Sequence, residues 1–520
     1  MNRPEISLSA RNWSSGALKR CLSDKRTEMQ YILAHDIGTT GDKATLFSTE
    51  GAIINSVVVS YPVHYGENNR AEQDPEDWFR AVCVSTKRLL ENIDPAQILS
   101  VGFSGHMMGC VLLGKDRKLL RNAIIWADQR AVEECGRIAE AIGNDRFYEI
   151  TGGQNNATNS VAKLLWCMTK EDLKDRIGVM LNCKDYLVYR LTDRIGTDYS
   201  DASGTGLFDL NTFAWSEEIM DTMQIPASFL PEIFPAASVV GKVTDRAAAE
   251  TGLLSGTPVV AGVGDGTAAS VGSGISRTGE GYICLGTSAW ISYMDDSALF
   301  DAKKRTFNLA GIRKGQVFPL GTMQSACASY NWMRDNIWKE DGENGSALYD
   351  RINQTIRAVP AGSNGVLFLP YLMGERSPWW DADAAGAFLG LRQMNTRADM
   401  MRAVMEGVAL NLRLILDALR QKAPLTTLRI IGGGAKEPTW REVIADVLQV
   451  RIEKMNLMEE GCSLGAAVVA GIGAGIFGDE SSIGRFLSVE ETTEPDPALA
   501  ETYHSLAGRF ERTYWGLKDI

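Results

Sequence analysis

Two similar segments, about half a chain apart, constrain the fold of this protein more than any other feature of its sequence. Residues 31–47 read YILAHDIGTTGDKATLF, and residues 281–294 read GYICLGTSAWISYM. Each segment has an apolar run, a turn of glycine and hydroxyl residues and a second apolar run, which predicts a β-hairpin. The turn residues are Gly38, Thr39 and Thr40 in the first segment and Gly286, Thr287 and Ser288 in the second. Two such hairpins predict a duplicated domain.

The first hairpin carries an acid that the second one lacks. Asp36 precedes the first turn, and Cys284 stands at the corresponding position of the second segment. Glycine lets a ligand approach the backbone closely, and the hydroxyl groups can donate to phosphate oxygens, so the two turns could clamp a phosphate chain. Asp36 is then a candidate for holding Mg²⁺ or its waters. The alternative is a pair of ordinary hairpins with polar turn residues.

Length and composition set the class of protein. A chain of 520 residues is too long for one hydrophobic core, so we expect two large domains. The net charge of −12 argues against a nucleic acid or an anionic membrane as a partner. Nine cysteines without a C-x-x-C pair suit free thiols in a reducing cytoplasm. Four histidines without an H-E-x-x-H motif argue against a histidine-rich metal centre.

The sequence shows neither a secretory signal nor a membrane-spanning run. Residues 1–28 are polar and basic, without an apolar central region, and we expect a disordered extension or a start assigned too early. The uncharged stretch CSLGAAVVAGIGAGIFG is too short and too rich in glycine to span a bilayer. We therefore expect a cytoplasmic protein with no membrane partner.

Strand-like and helix-like runs alternate along the chain, which predicts an α/β fold. Strands are expected over residues 31–34 and 43–47 and in the run that begins at Ala52. A helix is expected from Pro75, because an aspartate cap followed by proline is typical of a helix start.

The longest predicted helix begins after Thr396. Asp399 lies three residues further on, which is the spacing of a capping box. The helix is apolar on nearly all sides, so we expect it to be buried. Glu406 lies inside it, and we interpret this residue as a structural acid whose hydrogen bonds are satisfied.

A third glycine-rich segment, LRIIGGGAKEPTWREVIADVLQV, spans residues 428–450. A strand is expected to end at Ile431 and a helix to begin at Pro438. The three glycines between them, residues 432–434, would let a flat or bulky ligand lie against the backbone at a helix start. The alternative is a tight strand-to-helix turn, although such a turn hardly needs three glycines.

Motifs of other enzyme classes occur in unsuitable contexts. No G-K-S or G-K-T sequence is present, so a nucleotide would have to bind without a classical P-loop. The segment GCSLG matches a nucleophile elbow at Ser463, but Glu459 and Glu460 stand where an apolar strand is required. A G-x-G-x-x-A pattern at residues 264–269 is a weak dinucleotide fingerprint, because no ribose-binding acid follows about 20 residues later.

Asp265 lies within this last pattern and is the candidate catalytic residue. It follows a buried strand and precedes a helix, the place where ligands of α/β sheets bind. A carboxylate there can accept the proton of a substrate hydroxyl as that hydroxyl attacks phosphorus. The alternative is an N-cap for a helix that begins near Thr267.

Nine segments, taken together and in order, resemble the FGGY family of carbohydrate kinases, relatives of glycerol kinase and xylulose kinase. They are DIGTTGDKA, VGFSGHMMG, NAIIWADQRA, GTDYSDASGTGLFDL, AGVGDGTAASVG, GYICLGTSAW, LPYLMGERSPWWDADAAGAFLGL, GGGAKEPTWREVIADVL and SLGAAVVAG. The resemblance covers nearly the whole chain from Met29. It implies an α/β fold of two duplicated actin/hexokinase-like (ribonuclease H-like) domains flanking a catalytic cleft. The expected divisions are an extension at 1–28, a sugar-binding domain at 29–278 and a nucleotide-binding domain at 279–520.

The resemblance also implies a reaction and a set of site residues. The reaction is ATP-dependent phosphorylation of a ketose such as a pentulose, or of a polyol, with ATP and Mg²⁺ as cofactors. Asp265 is implied as the general base, and Asp36 as the residue that organises Mg²⁺ through water. The implied phosphate-binding residues are Gly38, Thr39, Thr40, Lys43, Gly286, Thr287 and Ser288. The implied adenosine-binding residues are Gly433, Gly434, Ala435 and Lys436. The implied sugar-binding residues are His106, Met107, Trp126, Asp128 and Arg130, together with Asp265.

Two departures from the xylulose kinase pattern leave the sugar open. Those kinases usually read Gln-Met-His where this chain has His106, Met107 and Met108, and usually have asparagine in place of Gly266. A different ketopentose, a polyol or a deoxy sugar is therefore as credible as D-xylulose. Further alternatives are an ATPase of the same fold, a sugar-binding regulator without turnover and, more remotely, a dehydrogenase. A homodimer is a candidate assembly.

Overall fold

The computed structural model describes residues 29–67, 69–339, 346–457 and 459–518, so the predicted extension at 1–28 lies outside the described residues. We call residues 29–278 the first half and residues 279–518 the second half; the domain boundary between them stays a prediction. The strands of the first half are β1 (Tyr31–Ile37), β2 (Gly41–Ser48), β3 (Ile53–Ser60), β4 (His64–Gly66), β5 (Arg70–Gln73), β6 (Ile98–Gly105), β7 (Val111–Gly114), β8 (Ala123–Ile124), β9 (Ile177–Leu181), β10 (Thr197–Asp198), β11 (Phe208–Asp209), β12 (Ala214–Trp215), β13 (Ile233–Phe234), β14 (Val239–Lys242), β15 (Pro258–Val260) and β16 (Val263–Gly264).

The helices of the first half are α1 (Pro75–Leu89), α2 (Val132–Ala141), α3 (Asn144–Thr151), α4 (Ser160–Lys170), α5 (Cys183–Thr192), α6 (Tyr199–Gly204), α7 (Glu217–Thr222), α8 (Asp245–Thr251) and α9 (Asp265–Gly272). The strands of the second half are β17 (Gly281–Leu285), β18 (Ala289–Tyr293), β19 (Phe307–Ala310), β20 (Val317–Met323), β21 (Leu367–Leu369), β22 (Ala387–Leu389), β23 (Thr427–Ile431), β24 (Arg451–Met455) and β25 (Val489–Thr493). Its helices are α10 (Cys327–Met333), α11 (Ser346–Ile356), α12 (Arg397–Leu419), α13 (Pro438–Leu448), α14 (Gly461–Gly473) and α15 (Ala500–Leu517).

Each half contains a large mixed sheet built around one of the two predicted hairpins. In the first half the strand order is β14-β15-β6-β1-β2-β3, and β16 also pairs with β6. In the second half the order is β19-β20-β18-β17-β23-β24-β25. β1 pairs antiparallel with β2 and parallel with β6, and β17 likewise pairs antiparallel with β18 and parallel with β23. The predicted duplication and the α/β fold class are confirmed.

The two hairpins match residue by residue up to the turn. Asp36 pairs with Lys43 one position before the last pair of its hairpin, and Cys284 pairs with Trp290 at the equivalent position. The first turn closes through a hydrogen bond from the Gly38 amide to the carbonyl of Gly41, at 3.0 Å. The second is one residue shorter, and the amide of Gly286 donates to the carbonyl of Ser288 at 2.9 Å. The predicted alignment of the two segments is therefore correct.

The predicted helix starts are also confirmed. Asp74 caps α1 by accepting a hydrogen bond from the amide of Glu76, and Thr396 forms a capping box with Asp399 at the start of α12. Glu406 is buried inside α12 as expected, and its carboxylate accepts hydrogen bonds from the hydroxyl of Ser363 at 2.7 Å and of Tyr503 at 2.9 Å. This glutamate is a satisfied structural acid.

Helices α9 and α14 pack against each other closely enough to join the two halves. A Cβ atom on Gly272 of α9 would lie 1.8 Å from the carbonyl oxygen of Gly461, and one on Gly465 of α14 would lie 2.1 Å from that of Ala268. α14 also covers the first sheet, where a Cβ on Gly102 would meet the Ala466 carbonyl at 2.7 Å. One hydrophobic core cluster contains side chains from both halves as a result.

No helix within the described ranges is long and apolar enough to cross a membrane, as the sequence suggested. The segment GCSLG, weighed as a nucleophile elbow, forms the first turn of α14 instead. Ser463 is buried there, so its hydroxyl does not face a substrate.

Gly465→Ala is expected to lower the free energy of unfolding by about 1–3 kcal/mol, because the added methyl collides with backbone that cannot turn away. Chemical denaturation monitored by circular dichroism measures the change. Gly136→Ala is the matched control: Gly136 also lies inside a helix, but nothing lies within 4 Å of its added Cβ, so helix propensity should raise stability by about 0.5–1 kcal/mol. Equal effects of the two substitutions would contradict the packing analysis.

Candidate active site

The ends of three neighbouring strands bring the predicted acids together. In the first sheet Asp36 of β1 pairs with Ser104 of β6, and Ser104 pairs on its other side with Val263 of β16. Asp265 follows β16 directly, so its carboxyl group reaches the same edge of the sheet as Asp36. The carboxyl ends of parallel strands form the expected ligand-binding edge of an α/β sheet.

Asp265 is the first residue of α9 and lines a cavity. The helix begins at Asp265, and its N-cap is Gly264, so the alternative of an N-cap for a helix starting near Thr267 is wrong. The Asp265 carboxyl accepts a hydrogen bond from the amide of Gly266 at 2.7 Å. Burial, and next the negative charge of Asp36, raise its pKa to about 7. Such a carboxyl group can change protonation state near neutral pH.

Asp36 has a perturbed carboxyl group as well. Burial is the main reason that its pKa rises to about 6; the nearby Asp42 and Glu460 add to this rise, while Ser104 and Lys43 oppose it. No group of three or more His, Cys, Asp or Glu side chains within the described part of the chain could hold a metal ion unaided. Mg²⁺ would fit beside Asp36 if phosphate oxygens and water completed its oxygen shell, because Mg²⁺ commonly binds through one or two carboxylates in this way.

The first hairpin turn lies against the predicted sugar-binding loop. The indole N–H of Trp126 donates to the hydroxyl of Thr39 at 3.0 Å, and the amide side chain of Gln73 donates to the Thr39 carbonyl at 2.8 Å. Thr40 is exposed, and Gly38 is partly buried. A predicted phosphate-binding residue and a predicted sugar-binding residue of the first half are thus in direct contact.

The second hairpin turn lies over the start of α10. Backbone amides of Ala326 and Ala328 donate to the carbonyl of Thr287 at 2.9 and 3.1 Å, and that of Cys327 donates to the carbonyl of Gly286 at 3.0 Å. Thr287 is exposed, and Ser288 lines the same cavity as Asp265. The two turns therefore belong to opposite halves of the molecule, as a pair of phosphate clamps requires.

Both lysines of the predicted phosphate and adenosine loops are paired with glutamates that precede α14. The Lys43 ammonium group lies 2.6 Å from the Glu460 carboxylate, and the Lys436 ammonium group forms an ion pair with Glu459. These pairs connect the first hairpin to the glycine-rich loop through one short segment of the second half.

A cavity of about 650 Å³ lies beside the glycine-rich loop of the second half. Gly433, Gly434 and Lys436, which were predicted to hold adenosine, line it, whereas Ala435 is buried beneath them. Tyr330 stacks on Trp440 with ring centroids 5.4 Å apart. The remaining lining residues, which the sequence did not single out, include Asn331, Tyr349, Asp350, Asn353 and Glu437. The size and the mixture of aromatic and polar groups suit a nucleoside.

Two adjoining cavities of about 260 and 280 Å³ lie between the halves. The smaller one holds the residues predicted for sugar and base, Met107, Trp126 and Asp265, together with Ser288 and Trp290 from the second half. The larger one is rich in amide and hydroxyl side chains, which include Gln129, Gln154, Asn156, Thr158, Asn308 and Gln324. These side chains can bind the hydroxyl groups of a sugar. Sequence reasoning missed them, because they come from several segments that are far apart in the sequence.

Arg376 and Trp380, both from the second half, also line the larger cavity. Arg376 borders both cavities. Arg376 belongs to the sequence GERSP, residues 374–378, which is part of one of the nine segments that resemble the family. That segment alone gave no role for this arginine.

Three predicted sugar-binding residues do not line these cavities. His106 is buried next to Trp78, and neither of its ring nitrogens has a partner in the described part of the chain; burial lowers its pKa to about 4. Asp128 is also fully buried and accepts hydrogen bonds from Arg130, at 2.7–3.0 Å, and from the amide of Ala71. Direct contact of His106, Asp128 and Arg130 with a sugar stays a prediction.

Comparison with known proteins gives one consistent result. The model of the FGGY family of carbohydrate kinases, N-terminal domain, matches residues 31–272, and the model of its C-terminal domain matches residues 281–474. The xylulose kinase of Bacillus subtilis (strain 168) is 31% identical over 497 residues, which cover 95% of this chain and 98% of that protein. Crystal structures of a gluconate kinase and of a ligand-bound xylulose kinase from Lactobacillus acidophilus are each 29% identical. Each covers 94% of this chain and 98% of its own, with a TM-score of 0.88.

Asp265→Asn is expected to stabilise the folded protein more at pH 8 than at pH 4. The carboxyl keeps its proton up to about pH 7 when folded, against an ordinary pKa of 3.8, so stability falls as pH rises through this window. The uncharged amide avoids that loss, which the difference between these two pKa values sets at about 4 kcal/mol at pH 8. Urea unfolding at a series of pH values measures it, with exposed Asp116→Asn as control. A difference that does not depend on pH would contradict the raised pKa.

Proposed function

This chain belongs to the FGGY family of carbohydrate kinases and is itself a carbohydrate kinase, and on that premise we propose that it transfers the γ-phosphoryl group of ATP to a hydroxyl of a sugar or polyol held against Asp265. The observation that carries the proposal is the position of Asp265. This carboxyl group lies in a cavity between the halves, beside Asp36, and its pKa of about 7 suits a general base.

Asp265 would act on the sugar hydroxyl as it attacks phosphorus. One carboxylate oxygen accepts the hydrogen bond from the amide of Gly266, and the other is left to accept the hydroxyl proton. The new bond forms between the hydroxyl oxygen and the γ-phosphorus, the bond from that phosphorus to the β–γ bridging oxygen breaks, and ADP leaves. Such transfer depends on positioning and charge stabilisation more than on covalent chemistry by the protein.

The two hairpins would hold the phosphate chain from opposite sides. Thr39 and Thr40 offer amides and hydroxyls from the first half, and Thr287 and Ser288 offer them from the second. The amides of Gly38 and Gly286 close their own turns, and these glycines would let the phosphates approach the backbone. Mg²⁺, held through Asp36, would neutralise charge on the phosphate oxygens. Adenosine would occupy the cavity at Gly433, Gly434 and Lys436. In that arrangement the γ-phosphate end of ATP would lie near Asp265, and exclusion of water from the cleft would favour the sugar hydroxyl as acceptor.

The sugar remains open between a ketopentose, a polyol and a sugar acid. Known relatives are named for xylulose and for gluconate. Of the two departures from the xylulose kinase pattern, the one at Gly266 has a structural counterpart: a Cβ atom at this position would lie 2.7 Å from a methyl carbon of Leu309. Leu309 therefore fills space that an asparagine would need, so this wall of the cavity is more apolar.

Asp265→Asn is expected to lower kcat by at least about 10²–10⁴-fold, because the amide cannot accept the hydroxyl proton. The measurement is sugar-dependent ADP release from Mg-ATP over a panel of ketopentoses, polyols and aldonates, with ATP affinity by calorimetry. ATP binding should be retained, since Asp265 does not line the nucleotide cavity. Full turnover in this variant would exclude Asp265 as the base. Sugar binding without turnover in the wild type would favour the regulator.

The pH dependence of kcat/KM provides a separate test. Because the base must be ionised, kcat/KM should fall about tenfold per pH unit below an apparent pKa near 7. Asp36 titrates nearby, so this value belongs to the pair of carboxyl groups. A pH-independent rate between pH 5 and 8 would contradict the assignment.

A further inference from the structure

A buried cluster of charged side chains lies directly beneath the residues assigned to base and sugar. The Lys184 ammonium group, at the start of α5, lies 2.6 Å from Asp185, 2.9 Å from Asp198 and 3.1 Å from Asp201. All four side chains are at most 1% exposed. We call this set the Lys184 cluster. Burying four ionisable groups costs several kcal/mol per charge unless their geometry and hydrogen bonding compensate, so the cluster demands an explanation.

A chain of hydrogen bonds, which we call the first arm, leads from the cluster to the residue that precedes Asp265. The Asp198 carboxylate accepts hydrogen bonds from the amide of Ser200 at 2.8 Å and from its hydroxyl at 2.5 Å. The Ser200 hydroxyl in turn accepts the hydrogen bond of the Gly264 amide at 2.8 Å. Gly264 is the N-cap of α9 and immediately precedes Asp265. The position of the Asp265 backbone is therefore tied to Lys184 through two intermediate side chains.

A second arm reaches the predicted sugar-binding loop. The Asp185 carboxylate accepts a hydrogen bond from the amide of Asn182 at 3.0 Å, and the Asn182 side-chain oxygen accepts one from the amide of Gly109 at 3.1 Å. Gly109 belongs to the same loop, between β6 and β7, as Met107, which lines the cavity of Asp265. This second arm ties the backbone of the loop to the Lys184 cluster.

Close packing keeps both loops in place on the cluster. A Cβ atom on Gly262 would lie 3.1 Å from the Lys184 side chain, and one on Gly105 would lie 3.1 Å from the Cβ of Lys184. A Cβ on Gly264 would lie 2.7 Å from the side chain of Met107, so the two loops also touch. Moving Lys184 would therefore move both loops.

We propose that Lys184, Ser200 and Asn182 are positioning residues of the kinase, with Ser200 fixing the base and Asn182 fixing the sugar loop. The proposal rests on the proposed role of Asp265. The ammonium group holds the carboxylates of Asp185 and Asp198 in a single arrangement, and each of these orients one arm. Because the arms end at different loops, their loss affects different kinetic constants. A purely structural cluster would not separate kcat from KM.

Ser200→Ala and Asn182→Ala test the two arms separately. Ser200→Ala should lower kcat about 10- to 100-fold with the KM for ATP unchanged, because the Gly264 amide loses its acceptor and Asp265 shifts. Asn182→Ala should mainly raise the KM for the sugar, about tenfold. Ser200→Thr restores the hydroxyl and should recover kcat to within about threefold of wild type. The kinetics use the full chain and the sugar of the panel above that gives the highest turnover.

Ser216→Ala is the matched control. The Ser216 hydroxyl is buried and also accepts a backbone amide, that of Ile219 at 3.2 Å, but it caps α7, outside the cluster. Its loss should lower the melting temperature as Ser200→Ala does and leave kcat and KM unchanged. Unchanged kinetic constants in folded Ser200→Ala and Asn182→Ala, or equal changes in Ser216→Ala, would overturn the proposal. Full turnover in Asp265→Asn would instead refute the assigned base.

Discussion

The contact between α9 and α14 is the constraint on which the rest of the molecule depends. Backbone meets backbone there because both helices carry glycine at the crossing, and no side chain larger than hydrogen fits. α9 begins with Asp265, and α14 follows the glutamates that pair with Lys43 and Lys436. One helix pair therefore fixes the position of the proposed base relative to the first hairpin and the glycine-rich loop. Its close packing sets how near the two halves can come.

Much of the fold could be predicted because its signals are local. A hairpin needs only a turn sequence between two strand-forming runs, and both hairpins, including the register of Asp36 against Cys284, lie where the sequence indicated. The start of α12 was predictable for the same reason, since a capping box is contained within four residues. Asp265 stood out because strand, acid and helix start follow one another along the chain.

The residues that line the cavities, and the Lys184 cluster next to them, could not be predicted from such local signals. Tyr330 and Trp440 lie 110 residues apart in sequence and stack only after folding. Lys184 looks like any helical lysine, and nothing local indicates that Asp198 and Asp201 will surround it. Resemblance to a family suggested Asp128 as a sugar contact, whereas in the structure its carboxylate is occupied by Arg130 and a backbone amide. The aromatic stack, the surroundings of Lys184 and the bond from the Ala71 amide to Asp128 all join residues that are distant in sequence.

The tryptophans in the walls give the molecule an optical property of its own. Trp126 and Trp290 line the cavity of Asp265, Trp380 lines the adjoining one, and Trp440 lines the cavity beside the glycine-rich loop. Indole emission depends on the polarity and mobility of its surroundings. At least four of the chain's twelve indoles therefore line cavities in which a ligand of the proposed kind would replace water. We therefore expect ligand binding at either end of the cleft to change the intrinsic tryptophan fluorescence, so that no attached dye is needed to detect it.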